Sequence, residues 1–439
     1  MENIKKLCVV SCPVATRSGY GARSRDFVRA LIKSKPDWDI KILSQRWGNT
    51  SMDALADVED GDLISRIIVD KQDTKPNIWI QISVPNEFQA VGDYNIGVTA
   101  GVETTIMPPE CLEGINRMDK VLTSSQFSKD VMKASVYDKN DKETNKLISK
   151  LELSKPVEVL FEGIDLNIYN NKAPSEPRVD DVLSTITDSF CYLFVGHWLN
   201  GKLGMDRKNV GGLIWNFLNT FKGKKNPPAL ILKTSRGNTS LVDRVGLREM
   251  IKEIKAKVDS PKLPNIYLLH SDLTDKEMNA LYNHSKVKAH VSFTRGEGFG
   301  RPLLEATISG KPMVVSGWSG QVDFLNKEMV NVIGGQLVDV DPSAADGKFI
   351  IKEAKWFDID TNSANTAMKN IFDNYKNHLS LSRKHRQYTK DNFTFDKMAE
   401  LLKIQLEDAD KVIPQQVALS LPKLKKVNTL ALPKLKKVK

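Results

Sequence analysis

Glu297 and Glu305 stand eight positions apart in TRGEGFGRPLLEATISG, residues 294–310, a stretch that also carries glycines at 296, 298, 300 and 310 and a proline at 302. Glycines let backbone N–H groups approach a ligand closely, and a helix N-terminus directs roughly half a positive charge at an anion. A turn of this kind suits phosphate. The two acids do not suit a site for phosphate alone. Ionised carboxylates only accept hydrogen bonds, so they fit a ligand that also brings hydroxyl groups. Acids near a helix start also stabilise the helix dipole by ~0.3–1 kcal/mol with no ligand present, but Glu305 falls near the end of the first turn, where that effect is small.

The elements that must hold this stretch are legible around it. VKAHVSF (287–293) reads as a strand that delivers the chain to the loop TRGEGFGR, Pro302 suits the first helical turn, and Gly310 closes the helix. Glu297 then lies on the loop and Glu305 inside the helix, both able to face a cleft at the strand ends. Further strands are predicted at KKLCVVSC (5–12), IWIQISV (78–84), YNIGVT (94–99), KVLTSS (120–125) and PVEVLFEGID (156–165). A polar, proline-containing linker, NNKAPSEPRVDD, follows. A second series runs through FCYLFVGHW (190–198), PALILKTS (228–235), NIYLLH (265–270) and PMVVSG (312–317). Helical patterns such as ARSRDFVRALIKS and SQFSKDVM, the latter with Ser125 or Ser128 as a cap, alternate with the strands. Strands alternating with helices imply parallel sheets, and two such series imply two doubly wound α/β domains facing each other across a cleft.

EGFGRPLLEATISG resembles the signature EGFGxPxxEAxxxG of the retaining glycosyltransferases of GT-B architecture, especially the large family 4, whose hallmark is a pair of glutamates with seven residues between them. The likeness continues through YLLHSDLTDKEMNALYNHSKVKAHVSF before the motif and PMVVSGWSGQVDFL after it. GVETTIMPPECLEGINRMDKVLTSSQFSKDVM, PVEVLFEGID and the late helix FTFDKMAELL (393–402) are similar to further family segments, so the match spans roughly residues 5–405 in order. VPNEF (84–88) and GVETT are similar to glycosyltransferases carried by tailed bacteriophages, some of which modify hydroxymethylated cytosine in DNA. The resemblance implies a Rossmann-like acceptor-side domain over 1–175, a Rossmann-like donor-nucleotide domain over 185–380, and helices at 381–410 that cross back. The basic tail, 411–439, lies outside it.

The same resemblance implies roles. Glu305 would bind the ribose diol of a nucleoside diphosphate sugar, and Glu297 the hydroxyls of the transferred sugar, while backbone N–H groups near Gly298, Phe299 and Gly300 would serve the sugar and diphosphate. Arg207 and Lys208 in MDRKNVGG resemble the family's basic pair, with Lys233 and Arg236 in LILKTSRG as further cations. The family often places arginine where this chain has His197, which makes Arg207 the candidate for that role. Glu103 in GVETT falls among acceptor-side residues, as a base or charge-stabilising group or else as a loop ion pair or cap. Gly19 and Gly21 in TRSGYGARSRDF would contact the diphosphate or acceptor, although a strand-to-helix turn also uses glycine for geometry alone. The implied reaction retains anomeric configuration by a front-face route.

Composition bounds these readings. The chain has 439 residues, 41% hydrophobic and 27% charged, as in an ordinary globular protein of two or three domains. No run approaches the ~18 apolar residues of a membrane span, and the N-terminal apolar run is too short for a secretory signal, so a cytoplasmic protein is expected, in a bacterial host if phage-encoded. Cys8, Cys12, Cys111 and Cys191 form no CxxC pair and read as buried apolar residues. Of the net charge of +10, eight positive charges come from lysines at 411–439, where LPKLKKV occurs at 421–427 and again at 432–438. Lys423, Lys425 and Lys426 with Arg17, Arg23, Arg25 and Arg29 are compatible with a phosphate backbone, so double-stranded DNA bearing 5-hydroxymethylcytosine is the leading acceptor. A lipopolysaccharide, glycolipid or saccharide acceptor, with the tail on an anionic membrane, is the alternative, and a non-catalytic sugar-nucleotide or nucleic-acid binding protein is the second. No cofactor is expected beyond the nucleoside diphosphate sugar as co-substrate. The six histidines lack metal-ligand spacing and the three Asp-x-Asp triplets read as turn and cap acids, so no metal is expected.

Overall fold

In the computed structural model, residues 5–55, 60–69, 74–141, 144, 146–172 and 175–412 are described. The first sheet contains β1 (Leu7–Cys12), β2 (Asp39–Ser44), β3 (Ile78–Ile82), β4 (Tyr94–Thr99) and β5 (Lys120–Thr123); after a hairpin of β6 (Tyr137–Asn140) and β7 (Leu147–Leu151) it is completed by β8 (Val157–Val159). Its strand order is β2-β1-β3-β4-β5-β8, with every pairing parallel. Parallel strands are covered on both faces, which is why LCVVSC carries apolar residues almost continuously. Cys8 and Val10 pack on one side with Phe27 and Leu31 of the helix Gly19–Ser34, and Val9 packs on the other with Leu112 and Ile115.

The second sheet follows the same logic with β9 (Cys191–Val195), β10 (Ala229–Lys233), β11 (Ile266–Leu269), β12 (Val287–Ser292), β13 (Met313–Ser316) and β14 (Asn331–Ile333). Its order is β11-β10-β9-β12-β13-β14, again all parallel, so the strand order reverses between β9 and β12. Ligand crevices open at such a reversal, outside the carboxyl ends of the strands. The loop holding Glu297 leaves β12 at that point. An antiparallel hairpin, β15 (Gly335–Asp339) with β16 (Lys355–Ile359), adds a flap that reaches the first half, where Thr105 N–H donates to the Lys355 carbonyl at 2.9 Å.

The chain then returns. The helix Phe395–Gln405 places Met398, Ala399 and Leu402 in the core of the first sheet, with Met398 and Leu402 each contributing about 1.5–3 kcal/mol. Ser125 is the cap of the helix Gln126–Ala134, as one of the two expected candidates. The predicted linker differs, because Pro177–Ser184 is helical, with Pro177 in the first turn and Val179 and Leu183 buried. β14 escaped the sequence reading because it spans three residues, and β2, as long as β1, because it mixes polar with apolar residues. Among the described residues no helix is long and apolar enough to cross a membrane, and no group of three metal-ligating side chains occurs. All four cysteines are buried and free.

Candidate functional site

The motif loop lies directly against the first half of the molecule. A Cβ on Gly296 would fall 1.8 Å from the Glu103 carbonyl, and one on Gly298 2.0 Å from the Ala100 carbonyl. These glycines therefore admit the backbone of the other half, a use for small residues that the sequence reading reserved for a ligand. Gly300, at φ +91°, then turns the chain into the helix Arg301–Thr307 with Pro302 in its first turn. Phe299 is core, its ring 5.1 Å from Phe324, so only its backbone remains for a ligand.

Around that contact Glu297, Arg207, Lys208 and Glu103 converge. Lys208 Nζ donates to Glu297 Oε1, and Arg207 NH1 lies 3.4 Å from Glu297 Oε2 and donates to the Gly296 carbonyl at 2.7 Å. Arg207 Nε reaches Glu103 Oε2 at 2.9 Å, tying the two halves together, while a third of the Glu103 side chain stays exposed. Burial alone would raise the Glu297 pKa, but the Lys208 and Arg207 charges outweigh it and hold the carboxyl below its ordinary value, ionised at neutral pH. Two strained positions aim these side chains. Asn209, at φ 51°, precedes the helix Val210–Phe221 just after the two cations, without a side-chain cap bond, and Ser319, at φ 73°, accepts the Glu297 backbone N–H on its hydroxyl at 2.9 Å. Non-glycine residues in this region persist where their surroundings over-determine them.

Glu305 has a different shell. Its Oε1 accepts from Arg301 Nε at 2.8 Å and its Oε2 from the Tyr282 hydroxyl at 3.0 Å. Burial raises its carboxyl to about 7, opposed by Arg301 and reinforced by the nearby Asp275 charge. Each oxygen keeps acceptor capacity for one more donor. His197 follows β9, with Nδ1 3.1 Å from Ser235 Oγ. Burial and the Lys208 and Lys233 charges hold its imidazole below the usual value, so it is neutral at pH 7 and Arg207 brings the guanidinium to Glu297 instead. Lys233, at the end of β10, stands apart from that cluster of four and shares the field around His197 and Asp272.

The two glycines of the first loop separate. A Cβ on Gly21 would strike the Thr16 carbonyl at 2.1 Å, so packing accounts for it, whereas Gly19 is exposed with open space around it. Arg23 corrects an expectation. It is 1% exposed and donates to the Leu160 and Phe161 carbonyls at 2.6 and 2.9 Å, so it cannot touch a nucleic-acid backbone. Arg17 pairs with Asp53, Arg25 donates to the Val14 and Thr16 carbonyls, and Arg29 pairs with Asp60 and Asp62. Lys423, Lys425 and Lys426 lie outside the described residues. Arg301, Tyr282, Asn209 and Ser319 were missed. Arg301 stood inside the quoted motif, four residues before Glu305, and Tyr282 in the segment quoted before it, where nothing local points to Glu305.

No protein-family model matches the sequence, and no curated protein does. Solved structures do resemble the whole fold. A glycosyltransferase from Rickettsia africae aligns over 93% of this chain and 98% of its own at 14% identity, with a TM-score of 0.58. A sucrose-phosphate synthase from Thermosynechococcus elongatus aligns over 93% and 100% at 11% identity, also at 0.58. The Anabaena HepE protein in complex with UDP-glucose aligns over 92% and 99% at 13% identity and 0.56. At these identities the likeness establishes the fold, two Rossmann-like domains in the GT-B arrangement.

Proposed function

We propose that this chain transfers a glycosyl group from a nucleoside diphosphate sugar to an acceptor hydroxyl, with retention at the anomeric carbon. The observation that supports it best is the ionised Glu297, set between Lys208 and Arg207 at the strand reversal of the second sheet and facing Glu103 of the first. Glu297 would accept hydroxyls of the transferred sugar. Arg207 and Lys208 would neutralise the diphosphate as the bond from the anomeric carbon to the phosphate oxygen breaks. The acceptor oxygen would bond to that carbon from the same face and pass its proton to the departing phosphate oxygen, with Glu103 on the acceptor side. Glu305 would take the ribose diol.

HepE, seen with UDP-glucose, makes that donor the first to try. The test incubates the protein with UDP-glucose, and then with other nucleoside diphosphate sugars, together with duplex DNA containing plain or 5-hydroxymethylated cytosine, glycolipids, or free saccharides. Mass spectrometry follows the acceptors and nucleotide release follows the donor. Donor turnover that falls on the order of 100- to 1000-fold in Glu297→Gln is the expected result, and a mass increment assigns the acceptor. The hydroxymethylcytosine arm tests the DNA reading, for which Arg17, Arg23, Arg25 and Arg29 give no free phosphate contact. Tight donor binding with no nucleotide release from any donor overturns the transferase in favour of a binding protein.

A further inference from the structure

Arg301 stands at a junction that the proposed chemistry does not use. Its Nε donates to Glu305 Oε1 at 2.8 Å within the second half, and its NH1 donates to Asp26 Oδ2 at 2.5 Å on the helix Gly19–Ser34 of the first half. Glu162, which follows β8, lies 3.8 Å from the same NH1. The side chains of Arg301, Asp26 and Glu305 are 15%, 16% and 9% exposed, so the chain of contacts is largely withdrawn from water and little screened. On one side it borders a cavity of ≈ 290 Å³ lined by Arg25, Asp26, Tyr169, Asp275 and Arg301. That face is not packed shut, so the guanidinium has room to swing away when its partner leaves.

We propose that Arg301 is a positioning residue that couples the docking of the helix Gly19–Ser34 to Glu305, so that the ribose-binding carboxylate is held in its accepting orientation when the two halves are together. This rests on the reading of Glu305 as the acceptor for a ribose diol. A guanidinium is planar, and its Nε and NH1 can bond two carboxylates at once. Asp26 fixes the plane from one half and thereby fixes the N–H aimed at Glu305 in the other. The groups facing Glu305 are Arg301 from its own helix, Tyr282 and Asp275 from the helix Asp275–Asn283, and Tyr169 from the segment after β8; Asp26 and Glu162 face it through Arg301. Arg301 is the one cation of that set. Without it, burial and the Asp275 charge leave Glu305 protonated over more of the neutral range.

The experiment is a double-mutant cycle on the full chain with Arg301→Gln, Asp26→Asn and the pair, reading UDP-glucose affinity against pH and thermal unfolding of each variant. Arg301→Gln is expected to weaken binding about tenfold at pH 7 and to move the acid limb of affinity upward by about one pH unit. Asp26→Asn is expected to weaken binding severalfold, and the double variant to be no weaker than Arg301→Gln alone, because Asp26 acts through Arg301. Additive losses, or an unmoved acid limb, overturn the proposal. A general loss of structure lowers the unfolding temperature without moving the limb. Should the wild-type chain bind neither UDP-glucose nor another nucleoside diphosphate sugar, the proposed function fails on its own account. The link to Glu305 is then decided by carbon-13 carboxyl titration of the unliganded protein, where an unchanged Glu305 midpoint in Arg301→Gln overturns it.

Discussion

Glu297 and Glu305 are matched in burial, at 7% and 8% exposure, yet their carboxyl groups are driven in opposite directions. Glu297 has two cations on it, and they hold it below the ordinary carboxylate range despite burial. Glu305 has one cation, which is itself shared with Asp26, and its remaining neighbours are a neutral hydroxyl and the charge of Asp275, so burial wins and lifts it to about 7. Burial sets the penalty for ionising a carboxylate, but the charge count around it decides the outcome. One member of the pair is therefore a fixed anion at any physiological pH, and the other changes state within it.

The sharpest way to break this comparison is to remove the fixed charge. Glu297→Gln keeps the shape of the side chain, leaves Lys208 without its anion and leaves Arg207 with Glu103 alone. Turnover is expected to fall on the order of 100- to 1000-fold, the range for losing one preorganised electrostatic partner, with UDP-glucose affinity changed far less. Equal losses in affinity and turnover would assign Glu297 to ground-state binding instead. The next effect is one of pH. With a folded-state pKa of about 7, Glu305 gains its proton as pH falls through that value, and a protonated carboxyl no longer accepts through both oxygens. Donor affinity is expected to decline below pH 7 towards about tenfold per pH unit, the limit for one proton. Glu297, already ionised, contributes nothing in that window. Calorimetric titration from pH 8 to pH 5.5 measures the limb, and Glu305→Gln is expected to flatten it.

The glutamate pair was legible because its information is local. Eight positions of spacing, three glycines and one proline determine a loop followed by a helix start, and the basic pair Arg207 and Lys208 sits just as plainly ahead of a helix. The alternation of apolar runs and helical patterns likewise carried the two parallel sheets. What could not be read were contacts made across long separations. Asp26 and Arg301 are 275 positions apart, and nothing around either residue points to the other. Ser319 holds the Glu297 backbone through an unusual torsion that GWSGQ does not announce. Arg23 was misjudged although a signal existed. It stands four residues before Phe27 and seven before Ala30, on the stripe of the helix that faces the core. A charged residue there must find partners, and it finds carbonyl groups of the segment after β8 rather than an external phosphate.

The smallest predicted effect distinguishes charge from packing at Glu305. Tyr282 is 1% exposed and donates to Glu305 Oε2, so Tyr282→Phe removes one donor while keeping the ring and nearly all of the buried volume. A hydrogen bond of this kind contributes about 1 kcal/mol net, or roughly fivefold in an equilibrium constant. Its loss favours the protonated carboxyl, so the Glu305 pKa is expected to rise further from about 7 and UDP-glucose affinity at pH 7, where the group is already half protonated, to fall about threefold. Because the deficit arises from protonation, it should shrink as pH is raised and nearly vanish by pH 9, where Glu305 is ionised in both proteins. A deficit that persists unchanged at pH 9 would place Tyr282 in direct support of the ligand or of the helix Asp275–Asn283, and would detach it from the ionisation of Glu305.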